Sequence, residues 1–266
     1  MENDNKSEKK QAVQALVAGC SEKRSYAVIP GYFLERVFGH CRPLDGAKLS
    51  EANLRSADLR SADFRAASLR SASLRSADLS YADLSYANLR AASLRSAVLR
   101  SASLRSASLR SASLRSADLS SADLSSADLS SADLSSAILS SADLSSAVLS
   151  YAILSSADMR SAVLSYADMR SAVLSYADLS FADLSSAIFL ATDLRTTKGL
   201  TQNQLTGKNS PYLCNSPLPG NIKIEGGKNR DCDKLADILH QRYPGSFDSP
   251  EAAAEFIKEQ QPQTWK

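Results

Sequence analysis

From Ala47 to Leu194 the apolar positions recur every five residues, and no insertion breaks the frame. The text reads A-D-L-R-S, A-S-L-R-S, A-D-L-S-S. The large apolar residue, position i, falls at Leu49, Leu54 and each fifth residue to Leu194, giving thirty repeats. Only Phe64, Met159, Met169 and Phe189 replace Leu there, and position i−2 is Ala throughout except at Thr192. In an α-helix, five steps of about 100° would turn each Leu about 140° from the last, so the leucines form no buried stripe. In a flat strand an odd period sends successive leucines to opposite faces. The pattern requires a short extended piece followed by a corner in every repeat. Positions i−2 and i then face inward, i−1 faces out, and i+1 and i+2 turn the chain. Wound repeatedly, this predicts an all-β solenoid whose interior is filled by Ala and Leu, with rungs about 4.8 Å apart.

Thirty copies of A-D/N-L-x-x resemble the pentapeptide-repeat family, including its cyanobacterial-type members. That resemblance implies a right-handed, four-sided β-helix with four repeats per coil, hence about seven and a half coils and a rod of roughly 36 Å at the sheet spacing. It covers residues 47–195. The flanks, 1–46 and 196–266, are expected to supply α-helical caps, because a solenoid must cover its terminal coils. Upstream, Val13, Leu16, Val17 and Cys20 follow helical spacing, and Tyr32, Phe33, Leu34, Val37 and Phe38 form a second apolar cluster. Downstream, Lys198-Gly199-Leu200-Thr201-Gln202 resembles an exit segment of this family. Residues 207–230 read as loop. Leu235, Ile238, Leu239 and Tyr243 mark a helix stopped at Pro244-Gly245, and Ser249-Pro250-Glu251 starts a second one running to about Gln260.

Composition removes other fold classes. The 44% apolar content is mostly Ala and Leu, and aromatics are 6%, which does not suit an ordinary mixed core. No run of about 18 apolar residues exists to cross a membrane. The first residues lack a signal-peptide apolar stretch, so the expected location is cytoplasmic. The four cysteines fall two per flank, Cys20 with Cys41 and Cys214 with Cys232. Without an export signal, buried thiols are the favoured reading. A disulfide in each flank, suited to an oxidising compartment, is the alternative.

No catalytic set emerges. His40 and His240 lie in opposite flanks, and each flank offers at most Cys, Cys and His, short of a structural zinc set. No phosphate loop, nucleophile elbow or HExxH motif is present, and the repeats hold no His to serve as a base. The expectation is a protein without enzymatic activity, cofactor or metal.

Charge reveals more. The net charge of +2 is balanced overall, but residues 48–115 carry +7 and residues 116–195 carry −7. With the twenty-residue coil implied by the family, Arg55, Arg75, Arg95 and Arg115 stack on one edge, and Arg70, Arg90 and Arg110 on the next. They form a candidate basic stripe for an acidic protein surface, or less favourably for nucleic-acid phosphates. Apolar residues at outward positions, Val148, Ile153, Val173 and Ile188 with Tyr151 nearby, form a candidate apolar interaction patch. The leading functional expectation is a scaffold, monomeric or weakly dimeric, that binds another protein and is regulatory in character. The family resemblance supplies the alternative of duplex-DNA mimicry protecting or inhibiting a type II topoisomerase, which the basic half opposes. A nucleic-acid binder through the arginines stands third.

Overall fold

The computed structural model describes residues 44–260. Residues 1–43, with the expected N-terminal caps and the Cys20–Cys41 pair, lie outside the described residues.

Each repeat builds one side and one corner of a coil. Ala at i−2 from Ala52 onward and the large residue at i are buried along the series, whereas i+1 and i+2 form turns. Position i−1 pairs in parallel with the residue twenty positions later, from Lys48 with Ser68 to Asp178 with Lys198. Twenty residues with a corner every five make the coil four-sided.

Four backbone N–H groups per repeat find backbone acceptors. Around Leu119, for example, Leu119 N donates to Ile138 O (2.7 Å), Ser121 N to Ser140 O (3.0 Å), Ala117 N to Leu114 O (3.0 Å) and Asp118 N to Ala97 O (2.9 Å). The fifth, at i+1, is left for a side chain. Where i−1 is Asp or Asn its Oδ1 accepts this N–H, as Asp118 does from Ser120 N at 3.1 Å, and the Ser120 hydroxyl adds a bond of 2.7 Å. This explains the Asp-x-Ser spacing that fills the repeats. The corner has a cost: every i+2 residue from Glu51 to Ala191 is left-handed, with φ between 51° and 62°. An L-residue pays about 1–2 kcal/mol in that region, offset here by the bonds of the ladder.

At the C-terminal end the frame changes. Lys198 still bridges Asp178, but Gly199 stands where the next Leu would be, with φ +67° and no room for a side chain against Ser180. Thr201 then caps a short helix, α1 (Gln202–Leu205), through a capping box. The Gln204 amide donates to Leu179 O and Ala182 O, at 2.8 and 3.0 Å, satisfying carbonyls of the preceding coil. Strand β1 (Ile188–Leu190) pairs in parallel with β2 (Tyr212–Cys214), Ile188 opposite Tyr212, an offset of 24 residues instead of twenty. Leu200, Leu205, Leu213 and Ile222 join the Ala/Leu core. The segment 207–230, expected as loop alone, thus contributes β2 and a 3-10 turn at Gly227–Asn229. The apolar run Tyr212-Leu213-Cys214 was too short to signal a strand without its partner.

Two helices follow, α2 (Cys232–Arg242) and α3 (Pro250–Gln260), close to the ranges read from the sequence. Their buried residues Leu235, Leu239, Ala253 and Ile257, with Phe247, pack on Ile188, Leu190 and Ala191. These three are outward residues of the Phe189 repeat, while Phe189 itself faces the core. The helices therefore pack against the flank of a coil. Cys214 and Cys232 are joined by a disulfide, which corrects the free thiols favoured from the sequence. β2 and the first residue of α2 are brought within 4.8 Å, Cα to Cα, across eighteen residues of chain.

Candidate interaction surface

The parallel bridges sort the outward i−1 residues into four columns, each the floor of one face. Face I begins at Lys48, face II at Asn53, face III at Asp58 and face IV at Asp63. Arg70, Arg90 and Arg110 occupy the edge between faces I and II. Arg55, Arg75, Arg95 and Arg115 occupy the edge between II and III. The two columns expected from the sequence therefore border one face, and its floor in this half is Asn53, Ser73, Ser93 and Ser113, without a carboxylate. All seven arginines are exposed.

Three of the four arginines on the other edges of this half behave differently, Arg105 being the exception. Arg60 and Arg65 bind the aspartates two residues before them, each at 2.7 Å, and Arg100 reaches Asp118 on the next coil. These bonds hold the Asp58 and Asp63 carboxyls below the usual carboxylate range, first through the arginine side chain. Of the seven beside face II, only Arg115 approaches a carboxylate, that of Asp133 at 3.7 Å, and the other six make no ion pair among the described residues; farther along the same two edges Arg170 and Arg195 are paired with Asp168 and Asp193. Neighbours at the rung spacing repel by under about 1 kcal/mol per pair in water. The ladder is tolerable, and an anion lying along it would relieve the repulsion.

The apolar patch separates into two parts. Ile153 and Val173, consecutive on face II, are 41% and 43% exposed, with Tyr151 exposed beside them. Val148 is half-buried. Ile188 is fully buried beneath the helices and is removed from the patch. The sequence could place it in a column with Val148 but could not show that α2 and α3 lie over that column. Ile138, also 41% exposed, is an outward apolar residue on face III that the sequence reading passed over.

Sequence reasoning also missed the side chains that fasten the C-terminal segment. Arg170 pairs with the fully buried Asp168 and lies over the Tyr243, Phe247 and Phe256 rings. Arg242 donates to Ser186 O at 2.8 Å and stacks on Tyr166 and Tyr212. An Asp-x-Arg repeat looks the same in the sequence whether its arginine is solvated or enclosed. His240 contacts Phe247 O through Nδ1 at 2.8 Å, a bond within the same segment. Among the described residues no group of three His, Cys, Asp or Glu is placed to hold a metal ion, and no helix is long and apolar enough to cross a membrane.

A family model described as pentapeptide repeats matches in eight copies, with matched segments running from 44–75 to 152–189. Among solved structures the chain is similar to HetL of the cyanobacterium Nostoc sp. strain PCC 7120, described as involved in heterocyst differentiation regulation. It is 32% identical over 66% of this chain and 87% of that one, with a TM-score of 0.48. The pentapeptide repeat protein alr5209 from the same organism is 44% identical over 34% of this chain and 69% of that one, with a TM-score of 0.30. Trypsin-treated QnrB1, a plasmid-mediated fluoroquinolone resistance protein, is 19% identical over 75% of this chain and 91% of that one, with a TM-score of 0.48. No curated protein matches.

Proposed function

Because the chain belongs to the pentapeptide-repeat family of non-enzymatic right-handed β-helices, we propose that it is a protein-interaction scaffold whose arginine-bordered face II binds an acidic protein surface. The observation that carries this reading is the pairing pattern of the arginines. In the basic half, three of the four arginines on the other two edges, Arg60, Arg65 and Arg100 but not Arg105, are bound to aspartates, while six of the seven beside face II lack an ion pair among the described residues. In this reading the thirty repeats form about seven and a half coils, closed at the C-terminal end by the segment of α1 and β2, with α2 and α3 lying on the flank. Ile153, Val173 and Tyr151, farther along the same face, add an apolar contact. The disulfide of Cys214 with Cys232 supports an oxidising compartment over the cytoplasmic expectation, since glutathione and thioredoxin keep cytosolic thiols reduced.

Affinity capture from the native host tests the scaffold, using wild type and Arg75→Ser/Arg95→Ser. Partners lost with the variant and at high salt support it; partners retained by the variant reject the arginine face. Duplex-DNA mimicry would require acidic character along the rod, whereas residues 48–115 carry +7. A gyrase supercoiling assay without effect would remove it.

A further inference from the structure

We propose that the acidic surface fitting face II is supplied by a second copy of this chain, through its face IV; this rests on the scaffold reading above and names its partner. Face IV in the acidic half presents Asp123, Asp143 and Asp183 in one bridged column, interrupted at Val163. Each spends Oδ1 on a turn N–H, from Ser125, Ser145 and Ser185 at 2.8 to 2.9 Å. The carboxylates are thereby held in fixed orientation, and Oδ2 of each makes no bond or ion pair among the described residues. The edges of this stretch are serines except for Arg160, which is engaged by Asp158 at 2.7 Å, and the exposed rings of Tyr166 and Phe181 toward Asp183.

Spacing favours this occupant. The arginines of face II repeat at the rung distance of about 4.8 Å, and so do the aspartates of another such coil. An extended acidic peptide offers same-side carboxylates only every ~6.7 Å, and duplex DNA offers phosphates every ~3.4 Å along each strand. After three rungs these are out of step by about 6 Å and 4 Å, while two coils remain in register. The arginine face also lacks aromatic residues, since its floor and both bordering turns in this half are Ser, Asn, Ala and Glu apart from the arginines, so bases would have no stacking platform.

The contact joins two different surfaces. Face II pairing with itself about a two-fold axis would set the arginines against Asp133, Ile153, Val173 and Asp193, whose two carboxylates are separated by two apolar rungs and already face Arg115 and Arg195 of their own chain. Faces II and IV are opposite sides of the coil, so every copy in a pair keeps one unused arginine face and one unused aspartate face. Such a heterologous contact continues into an open row.

Sedimentation velocity on the full chain at about 20 mM and about 500 mM salt tests this, because the screening length falls several-fold between them. Assemblies of at least twice the single-chain mass at low salt, dispersed at high salt, are expected. Arg75→Ser/Arg95→Ser and Asp123→Asn/Asp143→Asn should each stay single, with unchanged circular dichroism; the asparagines keep the Oδ1 acceptor of each turn. Mixed in equal amounts, the two variants should form pairs that stop at two, since each supplies only one intact face. A wild type that is single at low salt overturns the inference, as does a mixture that stays single. Single rods that instead retain a short duplex oligonucleotide through the same arginines overturn it in favour of nucleic acid. If self-pairing fails while Arg75→Ser/Arg95→Ser still loses captured host partners, the scaffold reading survives without it.

Discussion

Arg170 holds the buried Asp168 carboxylate through two parallel bonds, Nε to Oδ1 at 2.8 Å and Nη2 to Oδ2 at 2.6 Å. The Tyr243, Phe247 and Phe256 rings enclose the same guanidinium, their centroids 4.9, 5.6 and 5.6 Å away. One repeat residue thus joins the coil to the C-terminal helices.

Replacing Arg170 by Met should destabilise the protein by about 3–5 kcal/mol, because it leaves a buried carboxylate without its partner. Arg170→Met combined with Asp168→Asn should recover much of that loss. Urea denaturation of both variants measures the difference, and equal losses would show that the ion pair is not what the site depends on.

Tyr243 gives the same junction a response to alkali. Burial, followed by the nearby Asp168 charge, pushes its hydroxyl up to about 12, against an unfolded value near 10. The folded state therefore holds the proton more tightly. Stability is intact below about pH 10 and declines as the pH rises toward about 12, by a few kcal/mol in total. Tyr243→Phe should flatten this part of the profile of unfolding free energy against pH. An unchanged slope would place the alkaline sensitivity elsewhere.

Ala107 and Ser106 are adjacent, yet one faces the core and the other a corner. Ala107 is 1% exposed, so Ala107→Leu should overpack the coil by about 1–3 kcal/mol. Ser106→Leu should change little, since Tyr81 and Tyr86 already occupy equivalent turn positions. Thermal unfolding of the two variants provides the comparison, and equal shifts would contradict the inward placement.

How much of this could be read beforehand depended on whether a residue's environment is local. The inward facing of Ala107 and Leu109 follows from the five-residue period alone, because every repeat meets the same neighbours. Stacking of Arg75 over Arg95 needed only the coil length. Ile188 and Arg170 obey the same frame, yet their environment is set by α2 and α3, more than forty residues away in the chain. Strand β2 was hidden for a related reason, since its extended form is fixed by pairing with β1 across 24 residues.

Gly199→Ala should be costly for two separate reasons. The backbone is left-handed there, and an added Cβ would lie 1.8 Å from the Ser180 hydroxyl oxygen and 2.8 Å from its Cα. A loss beyond the ordinary about 1 kcal/mol for leaving glycine at a left-handed position is expected in chemical denaturation. Ser180→Ala with Gly199→Ala should not restore it, because the Ser180 Cβ and Cα also stand too close.

An uninterrupted frame of five with a coil of twenty constrains how such a gene can lengthen or shorten. Loss of twenty codons within the repeats would shorten the rod while returning every downstream residue to its own side. Loss of five codons would keep the interior filled yet rotate everything beyond the deletion by a quarter turn, breaking the arginine columns wherever it fell among them. Selection for folding alone would accept both changes. Selection for what the surface touches would accept only the first.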